Sequence, residues 1–286
     1  MIAKVIGPPA YVIFTRFNLP SMGYESIVRN TDHWLQKRVE LFERFCLPSV
    51  MAQTDQDFSW IVYFDPQSPA WLKNKIYAWQ SYERFRPIFR EEVSQAEKQA
   101  DIVAHLQPRQ RLVSTNLDND DGLAHDFVAR IKAAPSIAPR CAIFLANGLV
   151  LNGNRVFLNW DQQNAFCSVS ESWNAPVTCW AHPHNRLSGH MPSVSVGGAP
   201  GWLQVVHGDN VSNRVRGRRI APSGLRQNFT GLETASDPDV QEQLADLLIN
   251  GPVRTARDAL ISTSKHALRL TLGPRAIDRA KTVLRL

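Results

Sequence analysis

Residues 111–122 read RLVSTNLDNDDG: a short β-branched and apolar run, Arg111–Leu117, that ends directly in the cluster Asp118-Asn119-Asp120-Asp121-Gly122. An apolar run of this length bounded by turn residues predicts a buried strand. Leu123–Ala133 behind it carries the apolar spacing of an amphipathic helix. Strand, acidic cluster and helix in that order place three carboxylates at the carboxyl end of a strand, where open α/β sheets bind their ligands.

The same pattern extends in both directions. Tyr11–Phe17 (YVIFTRF) and Phe58–Phe64 (FSWIVYF) read as strands, and Phe85–Phe89 as an edge strand because Pro87 interrupts it. Between them, His33–Val50, Pro69–Glu83 and Glu91–Leu106 read as helices, the second with Pro in its first turn. This βαβα order predicts parallel strands covered by helices. Thr15-Arg16, Asp65 and Asp118–Asp121 would then meet on one rim. From Cys141 to Cys179 the texture changes to alternating residues around Asn-Gly and Gly-Asn pairs, which predicts antiparallel hairpins. A His-, Gly- and Pro-rich loop covers 181–202, and Leu203–His207 is a brief strand. Asn210–Leu232 holds five arginines and no acid; Asp237–Asn250, Val253–Leu272 and Pro274–Leu286 read as helices.

With 286 residues, 44% hydrophobic and 20% charged, the chain falls among globular proteins and outside the disordered, collagenous and disulfide-rich classes. The net charge of +6 has a location: residues 252–286 carry 8 Lys and Arg against 2 acids, while the first 251 residues balance. No window approaches the roughly 18 apolar residues of a spanning helix, so the expected place is the cytoplasm. Cys46, Cys141, Cys167 and Cys179 are isolated in sequence and read as small buried side chains, not as a zinc or redox motif.

Three carboxylates within four residues repel one another unless a cation or strong donors neutralise them. A hard divalent ion, Mg²⁺ or Mn²⁺, shared with substrate phosphates is the simplest neutraliser. The plainer reading is a cap on the following helix. An EF-hand is excluded because the twelfth position from Asp118 is Ala129, and no phosphate-binding G-x-x-x-x-G-K-[ST] loop occurs.

The segment TNLDNDD resembles the D-x-D segment of GT-A glycosyltransferases. Together with VIFTRFNLP, the W-L-x-x-R helix ending CLPSV, FSWIVYFD and WLQVVHGDNVSN, it is similar to the rhamnosyltransferase family, over roughly residues 11–215. Asn116 stands where that family would carry Arg. The resemblance implies a GT-A-like α/β fold: a Rossmann-like nucleotide-binding half with a mixed sheet (11–122), a hairpin-rich acceptor half (123–235), and a basic helical extension (236–286). It implies a metal-dependent transfer of a sugar, rhamnose or another deoxyhexose, from a nucleoside-diphosphate sugar to a saccharide or lipid-linked acceptor.

By the same resemblance Asp118 would face the ribose and Asp120 the metal, with Asp121 alongside and His207 completing the shell. Thr15, Arg16 and Asp65 would border the nucleotide, and Arg214 would reach the pyrophosphate. An inverting transfer also needs a carboxylate to accept the acceptor's proton; Glu171 and Asp209 are the two candidates. His182, His184 and His190 read as loop histidines within reach of an acceptor. Trp160, Trp173, Trp180 and Trp202 could stack on sugars but fit a buried role better. Pro274–Leu286 alternates apolar and basic residues as an interfacial helix on the inner face of an anionic membrane would. A nucleotidyltransferase would want a Gly-rich basic loop after the first strand, where Arg16–Gly23 has one Arg and one Gly. A basic nucleic-acid-binding protein would leave the acidic cluster without a role, and no nucleic acid is expected as partner.

Overall fold

The computed structural model describes residues 7–20, 32–207, 214–257 and 260. Its centre is a seven-stranded mixed sheet. Strands β1 (Ala10–Arg16), β2 (Ser59–Phe64), β3 (Phe85–Phe89) and β4 (Arg111–Asn116) are parallel. They are joined by β6 (Cys141–Leu145), β9 (Ser168–Ser172) and β10 (Ser193–Val196) in the order β10-β6-β9-β4-β1-β2-β3, with β9 antiparallel to both β4 and β6. The α/β class and the mixed sheet are those the sequence predicts.

Alternation along β1 sends Tyr11 and Ile13 to one face and Val12 and Phe14 to the other. On the first face lie Leu35, Val39, Phe42 and Val50 from helix α1 (Asp32–Leu41), the π-turn Phe42–Cys46 and α2 (Leu47–Met51), with Leu72, Ile76 and Trp79 from α3 (Ala70–Trp79). On the second lies Ile102 of α4 (Gln95–His105). Ser94 and Glu97 start α4 with reciprocal hydrogen bonds, Ser94 N to Glu97 Oε2 at 2.8 Å and Glu97 N to Ser94 Oγ at 3.2 Å. The crossovers from β1 through β3 therefore cover one face and the return to β4 the other. The winding reverses between β1 and β4, which opens a crevice at their carboxyl ends.

A second, five-stranded sheet lies across this rim. It contains β5 (Gly122–Leu123), β7 (Asn147–Asn152), β8 (Arg155–Trp160), β11 (Trp202–Val206) and β12 (Arg218–Ile220) in the order β12-β8-β7-β11-β5. The chain passes from β6 of the large sheet to β7 of the small one through Ala146 alone, a buried residue. Gly148 of β7 is covered by the Trp202 ring so closely that a Cβ there would lie 2.0 Å from Trp202 Cδ2. Beyond β12, helix α6 (Val240–Ala245) runs into a π-turn, Asp246–Asn250.

Three sequence expectations change. Helix α5 (Phe127–Ala133) starts four residues later than predicted, because Gly122–Leu123 pairs with β11 instead of winding. Asp126 occupies its N-cap position, so the acidic cluster caps no helix. Only β7 and β8 form the tight hairpin read over 141–179, turning at Gly153 with φ of 60°; β6 and β9 belong to the large sheet. Within the 181–202 loop the chain forms a short 3₁₀ turn, His184–Gly189, and β10. Residues 274–286 lie outside the described residues.

Candidate functional site

At the rim, Leu117 N donates to Phe14 O at 3.0 Å and carries the acidic cluster past the end of β1. Asn119 Nδ2 donates to Phe17 O at 2.6 Å and its Oδ1 accepts from Arg38 Nη1 at 3.2 Å. Arg38 sits on the inward side of α1, with its guanidinium 4.9 Å from the Trp34 ring centre. It also reaches Asp120 Oδ2 at 2.5 Å, and the same oxygen lies 2.9 Å from His207 Nε2 at the end of β11. Asp120 is only 5% exposed. Asp121 points elsewhere: fully buried, it accepts Val205 N at 2.8 Å and ties the end of β4 to the small sheet.

The electrostatics follow from these contacts. Surrounding protein, and then the charge of Asp120, push Asp118 up from the usual carboxylate range. Burial acts on Asp120 in the same sense, but the His207 hydrogen bond and the Arg38 charge outweigh it and hold Asp120 below that range. Burial, then repulsion from Asp120 and Asp118, raise Asp121 well above it. Of the three carboxylates, Asp120 is the one whose contacts favour the charged form.

Metal ligands about 2.1 Å from a hard divalent ion and adjacent in an octahedron stand roughly 3.0 Å apart, close to the 2.9 Å between Asp120 Oδ2 and His207 Nε2. No group of three or more His, Cys, Asp or Glu side chains among the described residues is arranged to hold a metal ion. An ion held by this pair alone would leave its remaining positions to water or phosphate oxygens, as Mg²⁺ and Mn²⁺ sites with phosphate substrates do. Asp121, expected alongside the metal, is instead taken up by Val205 N.

Beside this pair opens a cavity of about 440 Å³ lined by Arg16, Asn116, Asp118, Trp180, His182 and His184, among others. Trp180 forms its wall. Its ring packs on Phe14 at 5.0 Å and Tyr63 at 5.7 Å, the Arg16 guanidinium stacks on it at 4.1 Å, and its Nε1 donates to Asn116 Oδ1 at 2.7 Å. Asn116 Nδ2 in turn donates to Ala165 O at 2.9 Å, so the residue that departs from the family pattern organises the cavity wall. His182 and His190 stack at 3.7 Å. Among the described residues His184 Nδ1 is buried without a hydrogen-bond partner, and burial lowers the pKa of its imidazole.

Arg16, Asp118, Asp120 and His207 converge. Thr15 does not: it is fully buried on the other face and accepts Trp60 Nε1 at 2.9 Å. Asp65 stands at the rim as a turn former, its Oδ1 accepting Gln67 N at 2.7 Å and its own N–H donating to Asn18 Oδ1 at 3.1 Å. Glu171 is corrected. It pairs across β4 with Leu112, at the end of the strand remote from Asp118. Its carboxylate accepts Arg140 Nε at 2.8 Å, Val177 N at 3.0 Å and Thr178 N at 2.8 Å, and at 1% exposure it is closed off from a substrate. Asp209 lies outside the described residues, and Arg214 follows that segment. All four cysteines are buried and free, as expected. Sequence reasoning missed Arg38, whose signal is a charged residue on the apolar stripe Trp34, Leu35, Leu41, Phe42.

A family model described as "Putative rhamnosyl transferase" matches residues 10–219. No curated protein matches the chain. Among solved structures, S. aureus TarS is 8% identical over 69% of this chain and 37% of its own, with a TM-score of 0.41. TarS 1–349 in complex with UDP is 10% identical over 69% and 60%, also at 0.41. A protein from Desulfovibrio desulfuricans G20 described as a "putative nucleotide-diphospho-sugar transferase" is 10% identical over 69% and 81%, at 0.36. The chain thus spans between about a third and two thirds of the length of the TarS structures.

Proposed function

The chain belongs to the rhamnosyl transferase family whose model it matches, and from that premise we propose that it is a GT-A-type glycosyltransferase using a nucleoside-diphosphate sugar. The observation that carries this reading is the Asp120–His207 pair at 2.9 Å, held by Arg38 at the β1/β4 reversal beside a cavity that Arg16 and Asp118 line.

Asp120 and His207 would hold a Mn²⁺ or Mg²⁺ ion, which when bound supplies positive charge at the diphosphate leaving group. Arg38 keeps Asp120 ionised and aimed by an ion pair and fixes the loop through Asn119. Arg16, stacked on Trp180, lines the cavity, where it would meet a phosphate or ribose oxygen. Asp118 would accept a ribose hydroxyl. The preorganised positive groups stabilise the departing diphosphate more than the bound donor, which is what accelerates cleavage of the anomeric bond. A deoxyhexose donor, a saccharide or lipid-linked acceptor and surface-polysaccharide synthesis complete the reading. The basic segment 274–286 would add a peripheral contact with the inner face of the membrane; no helix among the described residues is long and apolar enough to cross one.

The test is calorimetric titration of UDP, GDP and dTDP with and without Mn²⁺, in the parent protein and in Asp120→Ala. Metal-dependent binding of one nucleotide, lost in the variant, is expected. Absence of metal-dependent binding by all three would overturn the reading.

A further inference from the structure

A second concavity, of about 490 Å³, lies apart from the residues above, between the start of the β7–β8 hairpin and the helical residues 251–257. Its lining includes Trp160, Asn159, Asn147, Arg216, Arg218 and Arg254, and no acidic side chain. Each component has a feature that the fold alone does not require. Trp160, the last residue of β8, is 63% exposed, the largest side chain among the exposed apolar ones. Asn159 beside it is 8% exposed, and its side-chain amide, which makes no hydrogen bond to another described residue, reaches solvent at the groove. Arg254 donates to Asp246 and to Gly217 O at 2.9 Å, but its Nε–H is buried without an acceptor. Arg218 is exposed on the edge strand β12.

We propose that this groove binds an acidic saccharide, a glycan bearing carboxylate or phosphate groups, and holds the acceptor chain of the transferase. An exposed indole face offers a flat apolar platform to the C–H face of a pyranose ring. An unpaired amide supplies both a donor and an acceptor for ring hydroxyls. Arginine forks match carboxylate or phosphate oxygens bidentately. The volume falls in the range of ligand sites. A single-stranded nucleic acid would ask for a succession of aromatic platforms along a track; here one stands alone. The position suits an acceptor, because Asp161–Ala165 leads directly from Trp160 to Ala165 on the wall of the 440 Å³ cavity. The acceptor role rests on the transferase reading; the groove does not.

The experiment titrates the full chain with hexagalacturonate, maltohexaose and the oligonucleotide dT6 by calorimetry and tryptophan fluorescence. It uses the parent, Trp160→Ala, Arg218→Glu and Asp120→Asn, each checked by circular dichroism. Hexagalacturonate should bind at least about tenfold more tightly than maltohexaose, and Trp160→Ala and Arg218→Glu should each weaken it about tenfold or more. Asp120→Asn should leave it unchanged. Equal binding by parent, Trp160→Ala and Arg218→Glu, equal binding of the neutral glycan, or tighter binding of dT6 at the same residues overturns the proposal. If no nucleoside diphosphate binds while hexagalacturonate still binds through Trp160, the transferase reading falls and the saccharide groove stands.

Discussion

Asp121 accepts the backbone N–H of Val205 at 2.8 Å, so the last acid of the cluster joins the two sheets while its neighbour Asp120 faces His207. The two carboxylates should separate in mutagenesis. Asp121→Ala leaves a buried N–H unsatisfied and should lower stability by about 1–3 kcal/mol in urea unfolding. Asp121→Asn, which keeps an acceptor oxygen, should stay close to the parent in both stability and nucleotide binding. Asp120→Asn should do the reverse, retaining stability and losing metal-dependent binding. Loss of nucleotide binding in a folded Asp121→Asn protein would restore Asp121 to the metal shell.

Glu171 gives a second contrast. Its carboxylate receives two backbone N–H groups and Arg140, so Glu171→Ala should destabilise by roughly 3 kcal/mol or more. Glu171→Gln, measured where it remains folded, should keep kcat within about twofold of the parent, whereas removal of a catalytic base typically costs about 100-fold or more. A 100-fold fall in kcat with an unchanged melting temperature would contradict the placement.

How far the chain could be read from sequence follows from the range of each interaction. The strands β1, β2 and β4 and the alternation around them are local patterns, and so is the acidic cluster at a strand end. Whether Asp120 or Asp121 faces the site depends on β5 pairing with β11, residues about 80 apart, and the two-residue strand Gly122–Leu123 has no periodicity to announce it. Glu171 reads as a candidate base because it lies in the hairpin region where acceptor sites commonly sit; the partners that occupy it, Arg140 and the 177–178 backbone, are brought to it by the fold. Trp180 likewise became a cavity wall through contacts with β1, β2 and β4.

Gly148 allows a steric prediction. An added Cβ would overlap the Trp202 ring, so Gly148→Ala should cost about 3 kcal/mol or more and broaden the unfolding transition. Combined with Trp202→Leu, which frees that space, the cost of the Ala should shrink, giving a coupling energy in a double-mutant cycle. Strict additivity of the two changes would place their effects elsewhere.

Acid should loosen the C-terminal helix first. Burial tends to raise the Asp246 pKa, but hydrogen bonds from Arg254 and the Arg219 N–H outweigh it and hold the carboxylate below its ordinary value. A group with a lowered folded pKa stabilises above its unfolded value and loses that contribution as pH falls through the folded one. Below about pH 4, amide exchange over 240–257 should therefore rise ahead of exchange in β1 and β4. In Asp246→Asn the acid-induced rise should vanish, with exchange already faster at pH 7. Simultaneous opening of β1 and the helix would count against this order.

Ala146 is the whole bridge between a strand of the large sheet and a strand of the small one. A one-residue bridge leaves little slack between the two sheets, so the rim at Asp120 and the Trp160 groove should resist being transplanted separately as cassettes. Changes to the groove should come from side chains on β8 and β12, since the exposed tip at Gly153–Asn154 is tied down, Asn154 O accepting Ser236 N at 2.8 Å.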